Sequence, residues 1–448
     1  MRRGWKRIAA LWTVCAMLFL SACGEAAEEM TAEPADVDAE LTLTLYCPSG
    51  VGNLDTYIRE FNRVYKHVTI EKTVFETQEA FDDAVSGELN AGKGPDMILF
   101  APPTKLDFVQ MAKNGAFYPL DACMEVSKNP IKEENYIGGA LDAGKVGGIR
   151  YFMPISVLIP FVAYGGHQSY PFVPEPILNF TDFKDAIYED MEQYQNDSET
   201  GISRMHVANL AIPAASVWKW DEAGQKIEYD VEQLRDLMEF VKDTWEEYGE
   251  KEEGILTKKG DTPVSWVENF RYYCGISQDF VHEARALNAL QYTLHKSRMQ
   301  FSMLTDYSGT GVNAIAGLYG AVNKNAGPRA AYAYEFFRTA MDSAPQSGKI
   351  MGNLLTVNKW KIKEQIVTWK GASSSYSLND LRIENPGFGE ELAEELMLMI
   401  DSINRVTITN PKIDGILNEA FAPYWDGDAS YESCFQDFEQ RIRLYLTE

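Results

Sequence analysis

The sequence predicts an α/β protein built as two lobes, and three observations carry that reading. Strands alternate with helices between residues 41 and 100, a pattern that implies right-handed crossovers and a parallel sheet. The chain has 448 residues and keeps more than 400 of them once an N-terminal leader is set aside, which is more than one hydrophobic core usually serves. Its apolar fraction, 45%, is that of an ordinary globular protein.

The leader comes first. Arg2, Arg3, Lys6 and Arg7 form a positive region, and Ile8 to Leu20 is an apolar run of signal-peptide length, too short to remain as a spanning helix. It runs into Leu20-Ser21-Ala22-Cys23, a tetrad similar to the bacterial lipobox. Residues 1–22 therefore read as an export signal, and Cys23 as the lipidated new N-terminus that holds the protein on the extracellular face of the cell membrane, as in Gram-positive bacteria. Residues 23–40 carry Glu25, Glu28, Glu29, Glu33, Asp36, Asp38 and Glu40 among Ala, Thr and Pro, with little to bury, and read as a flexible acidic tether.

Leu41 to Leu45 alternates apolar and polar residues and opens a strand that ends near Tyr46 to Ser49. Leu54, Tyr57, Ile58, Phe61, Val64 and Tyr65 then recur at helical spacing. Val68 to Phe75 reads as a second strand, Glu79 to Asn90 as a helix, and Asp96 to Phe100 as a short buried strand. In such sheets ligands sit beyond the carboxyl ends of the strands, here residues 46–52, 76–78 and 100–104. A helix is expected from about Pro103 to Gly115. Val157 to Tyr164 reads as a strand that Pro160 confines to an edge or a bend. Helical stretches between Thr181 and Tyr248 flank Trp218 and Trp220, and Arg298 to Leu304 is again strand-like. A strand at Gly320 to Asn323 and helices at 327–340, 390–403 and from about Ser430 complete the chain.

Charge and cysteine usage exclude several classes. The formal net charge is −25, and becomes −29 when the four basic residues of the leader go, which argues against nucleic acid or anionic lipid as a partner surface. Cys47, Cys123, Cys274 and Cys434 stand far apart, with no CxxC, so three disulfide pairings stay open and a zinc ribbon is not indicated. The five histidines fit no HExxH pattern, and no Gly-x-Ser-x-Gly or phosphate-loop motif is present. Residues 309–314 fit Gly-x-Gly-x-x-Ala, but Gly317 and Gly320 interrupt the helix a dinucleotide loop needs. Asp426, Asp428 and Ser430 begin a calcium-loop rhythm, yet Tyr431 stands where glycine is wanted; Ser430 as a helix cap is the plainer reading. No metal, cofactor or catalytic residue is expected.

Across the mature chain the sequence resembles the extracellular solute-binding proteins of ABC importers, family 1, which include the maltose-type sugar receptors. The resemblance rests on Leu41 to Ser49, the Gly94-Pro95-Asp96 turn, residues 114–121, Gly148 to Pro154, Gly320 to Asn325, Thr356 to Lys359 and the tail from Ile413 through Tyr424-Trp425-Asp426-Gly427 to Leu446. It implies a two-lobed periplasmic-binding-protein-like fold (type II), with residues 41–152 plus 303–345 as the first lobe and 153–302 plus 346–448 as the second, joined by a hinge. It also implies a monomer that closes on a small solute, most naturally a mono- or oligosaccharide, and presents it to permease subunits of an ABC transporter.

Sugar clefts set flat aromatic faces against pyranose rings and carboxylates or amides against hydroxyls. On those grounds, and from the resemblance, the candidate ligand contacts are Tyr46, Ser49 and Asn53 around the end of the first strand, Asp96 before the third, and Tyr151 at the first crossover. Trp218, Trp220 and Trp266 are second-lobe candidates, and Asp306 and Tyr307 follow the returning strand. Each has a structural alternative: core packing for the aromatics, and turn or cap formation for Asp96 and Asp306. Rival functions are the same fold binding a peptide, an amino acid or a cationic solute, a surface-anchored glycan hydrolase with paired carboxylates, and a ligand-presenting sensor subunit.

Overall fold

The computed structural model describes residues 32–165, 175–193, 204–220, 226–255, 272–343, 354–378 and 381–447. Ten strands form its main sheet: β1 Leu41–Pro48, β2 Val68–Phe75, β3 Met97–Phe100, β4 Phe152–Tyr164, β5 Ile177–Leu178, β6 Tyr272–Ser277, β7 Gln300–Leu304, β8 Asn313–Val322, β9 Leu355–Thr356 and β10 Arg405–Thr407. They run in the order β2-β1-β3-β8-β4-β7-β5, with β6 and β9 pairing β4, and β10 pairing β8. The expected parallel unit is β2-β1-β3. Antiparallel β8 and β4 then carry the chain from that unit toward the rest of the sheet.

Two hydrophobic clusters pack on this sheet, the first on both faces of β3 and β8 and the second around β4 to β7. Helix Leu54–Val64 buries Leu54, Tyr57 and Phe61 in the first, at the helical spacing read from the sequence, and Ala330–Asp342 packs beside it. At the centre Phe100 lies within 5.5–6.3 Å, ring centroid to ring centroid, of Phe81, Phe108, Phe117, Phe152 and Tyr319. The second cluster is mostly helical, built by Phe180–Gln193, Arg204–Ala215, Val231–Ile255, Pro411–Trp425 and Tyr431–Tyr445. Strand alternation lets β4 serve both: Ile159, Phe161 and Ala163 enter the first cluster, Val162 and Tyr164 the second.

Several expectations are corrected here. Pro160 lies inside the 13-residue β4, well within the sheet. Pairing with β8 ends at Leu158 and pairing with β7 begins at Val162, so β6 is the ladder partner at Pro160 and the missing N–H falls where β4 changes neighbours. The helix expected from Pro103 is Phe108–Lys113, because Asp82 accepts from the Thr104 hydroxyl and the Lys105 amide, each at 2.8 Å, and holds that stretch as a loop. The strand expected at 320–323 is the longer β8, which contains both Gly317 and Gly320. A Cβ on Gly320 would stand 2.4 Å from the Phe337 ring, so glycine is what lets the Ala330–Asp342 helix approach the strand. The end of the acidic tether is docked: Ala35 is buried, and the Asp36 amide donates to the Tyr332 hydroxyl at 3.0 Å. Cys47, Cys123, Cys274 and Cys434 are all free and buried. Cys23 and the leader lie outside the described residues. Among the described residues no helix is long and apolar enough to cross a membrane.

Candidate functional site

The carboxyl ends of the parallel strands are where a ligand is expected. After β1 the Ser49 amide donates to the Phe75 carbonyl at 2.8 Å and its hydroxyl to the Glu76 carbonyl at 3.0 Å, tying the ends of β1 and β2 together. Gly50, at φ +94°, makes the turn that follows, a conformation side chains rarely adopt. Asn53 is buried and hydrogen-bonds the Tyr57 side chain.

After β3, the loop held by Asp82 ends at Asp107, whose carboxylate caps helix Phe108–Lys113 by accepting from the Gln110 amide at 3.0 Å. The same carboxylate is hydrogen-bonded by the Tyr445 hydroxyl, near the end of the C-terminal helix. The Tyr445 oxygen also accepts from Asn410 Nδ2 at 3.1 Å. Asn410 follows β10 and caps helix Pro411–Trp425, its Oδ1 accepting from the Lys412 and Ile413 amides at 3.0 and 3.4 Å. The loop beyond β3 and the loop beyond β10 therefore meet through Asp107, Tyr445 and Asn410. Burial, with the Asp107 carboxylate beside it, holds the Tyr445 hydroxyl well above the usual phenol range.

One turn into the same helix, on the face of Asn410, stands Asp414. It is half-buried, and no hydrogen bond or ion pair reaches its carboxylate among the described residues. Burial alone pushes its pKa up to about 6. A partly dry carboxylate without a partner, at a meeting of loops, is a group with unused hydrogen-bonding capacity.

The residues singled out from sequence are scattered through the fold. Tyr46 sits on β1 with its hydroxyl donating to Glu88 at 3.1 Å and its ring edge-on to Phe75 at 5.1 Å. Asp96 precedes β3, at the opposite end from the loops described above; it accepts from the Thr44 amide and hydroxyl at 3.0 Å and from Arg329 at 2.7 Å, and so fastens β1, β3 and the 324–329 segment. Tyr151 is half-buried between the 145–150 hairpin and β4. Trp218 pairs with Tyr229 in a small separate hairpin and packs half-buried on the second cluster; Trp220 pairs with Ile227 there, its side chain outside the described residues. Trp266 also lies outside them.

Asp306 organises the turn after β7. It accepts from the Ser308 hydroxyl at 2.5 Å, the Gly311 amide at 3.2 Å and Arg405 at 3.0 Å. Burial works against its charge, but these donors outweigh it and hold the carboxyl below the usual range. Tyr307 donates to Asp236 at 2.7 Å and packs on Phe180. Of the sequence candidates, Ser49 and Asn53 share the ligand end of β1, while Asp306 reaches β10 through Arg405. Asp107, Asn410, Asp414 and Tyr445 escaped sequence reasoning. The Asn410-Pro411 pair is an N-cap followed by a first-turn proline and could have placed the helix start, but nothing local joins it to residue 107. Among the described residues no group of three or more acidic, His or Cys side chains could hold a metal ion.

No protein-family model and no curated protein matches the chain by sequence. Solved structures do match it in shape. The sugar-binding protein MalE from Xanthomonas citri is similar over 91% of this chain and 97% of its own, with a TM-score of 0.62 and 12% identity. A family 1 extracellular solute-binding protein from Alicyclobacillus acidocaldarius covers 92% of this chain and 100% of its own, at a TM-score of 0.54 and 12% identity. An ABC substrate-binding protein from Listeria monocytogenes, in complex with cycloalternan, covers 91% and 100%, at 0.54 and 14%. By these likenesses, the chain has the two-lobed α/β fold of the extracellular solute-binding proteins.

Proposed function

We propose that this chain is an extracellular receptor for a small solute, a mono- or oligosaccharide, which it takes up between two lobes and presents to the permease of an ABC importer without breaking a bond. The observation that carries the reading is the fold shared over more than nine-tenths of the chain with proteins described as sugar-binding or as holding a sugar. The lobes are residues 41–152 plus 303–345 and residues 153–302 plus 346–448, with β4 of the second pairing β8 of the first. Cys23 carries the lipid that keeps the receptor at the cell membrane. The junction of Asp107 with Tyr445 and Asn410 supports a cleft bounded by the loops beyond β3 and β10, with Ser49 and Asn53 on its first-lobe side. Tyr151, Trp218, Trp220 and Trp266 are the aromatic faces to be tested there.

In this reading a ligand touches both lobes only when they are together, so it favours the closed form by the free energy of those extra contacts and no more. The test is a thermal-shift screen of the protein lacking residues 1–31, against sugars, peptides, amino acids and polyamines. A ligand at 100 times its Kd stabilises the native state by about 2.7 kcal/mol. A raised melting temperature confined to sugars is the expected result; a shift confined to another class, or with none, overturns the saccharide reading.

A further inference from the structure

We infer that Asp414 is a ligand contact, a carboxylate that accepts hydroxyl groups of the bound saccharide from the second lobe. The inference rests on the receptor reading above and adds a residue that sequence and resemblance did not indicate. Its first support is position: Asp414 lies one turn beyond Asn410, which is joined through Tyr445 to Asp107 of the loop after β3.

Its second support is the contrast with the other sheltered acids. Asp82 accepts from Thr104, Lys105 and Gln78, Asp96 from Thr44 and Arg329, Asp236 from Lys184 and Tyr307, and Asp306 from Ser308, Gly311 and Arg405. Asp107 is likewise engaged, by Gln110 and Tyr445. Asp414 has no such donor among the described residues. An ionised carboxylate has about four lone-pair sites, and leaving them unfilled in a half-dry place costs more than filling them gains in water. Vicinal hydroxyls of a pyranose supply two donors at the spacing of one carboxylate. A divalent metal would want further acidic ligands, and no group of three is present among the described residues.

The experiment is calorimetric titration of the protein lacking residues 1–31, and of its Asp414→Asn and Asp414→Ala variants, with glucose, maltotriose, mannotriose and cellobiose, and with spermidine in parallel. Glu419→Gln, on the same helix but paired outward with Arg441, is the control. For a sugar that binds the parent chain, both Asp414 variants weaken binding tenfold or more, the range for a hydrogen bond to a charged group, and Glu419→Gln leaves it unchanged. Retained melting cooperativity shows that the variants are folded. Equal affinity in parent and Asp414 variants overturns the assignment and leaves the receptor reading standing. Binding of spermidine alone, lost on substitution, overturns the hydroxyl role. Failure of the parent chain to bind any of these sugars sinks the receptor reading and the Asp414 role together.

Discussion

Replacing Asp414 by Asn should make the unliganded protein more stable at neutral pH, which is an unusual direction for a change on a half-buried helix position. Burial pushes the pKa of this carboxyl up to about 6 in the folded chain, from the ordinary 3.8 of an exposed aspartate. Each pKa unit is worth about 1.36 kcal/mol, so the penalty has a ceiling near 3 kcal/mol, and partial exposure reduces it to about 1–2 kcal/mol. The sign follows from proton counting. Below pH 3.8 the group is neutral in both states and contributes nothing; between 3.8 and 6 the folded chain holds a proton that the unfolded chain has lost. Stability therefore falls as pH rises through that window, and the whole penalty is present at pH 7. Asn has the same shape and no charge. Calorimetric melting of parent and Asp414→Asn, without ligand, should give a higher Tm for the variant at pH 7.5 and nearly equal values at pH 3.5. A variant less stable at pH 7.5, or an advantage that persists undiminished at pH 3.5, would refute the argument.

Other consequences follow from packing and burial. Phe100→Ala removes the ring at the centre of five aromatic neighbours and should cost about 3–5 kcal/mol in chemical unfolding; a loss under 1 kcal/mol would mean the site collapses freely. Gly320→Ala sets a methyl 2.4 Å from the Phe337 ring and should destabilise by about 1–3 kcal/mol, partly restored by adding Phe337→Leu; a neutral Gly320→Ala would show that the helix can move away. Burial pushes the thiols of Cys47, Cys123 and Cys274 up to about 11, 12 and 12, so iodoacetamide at pH 8 should leave all three unmodified in the native protein and label them on unfolding; prompt labelling of the native chain would contradict their burial.

The local physics of the first hundred residues was legible because period and position coincide there. Leu54, Tyr57 and Phe61 face the core at the spacing that announced their helix, and the β2-β1-β3 unit followed from strand-helix alternation. Where tertiary contacts override local signals, sequence reading failed in identifiable ways. Pro160 argued for an edge, yet a central strand accepts it because its neighbours change at that residue. Gly317 and Gly320 deny residues 309–314 a following helix, as the sequence indicates; what it does not reveal is that both lie within β8 and that Gly320 makes room for Phe337. For Asp96 and Asp306 the sequence offers turn or cap formation as the structural alternative, and the donors around each fit that alternative. Asp414 drew none, because its lack of a donor is a property of the folded neighbourhood. The meeting of residues 107, 410 and 445 depends on a contact 35 residues apart and another 338 apart, which no local periodicity encodes.

In the proposed receptor a saccharide draws the two lobes together. Small-angle X-ray scattering of the protein lacking residues 1–31, titrated with the sugar that raises its Tm most, tests this directly. Closure should give a saturable contraction in radius of gyration that tracks the calorimetric binding curve. A scattering profile unchanged at saturation would contradict closure as the means of capture.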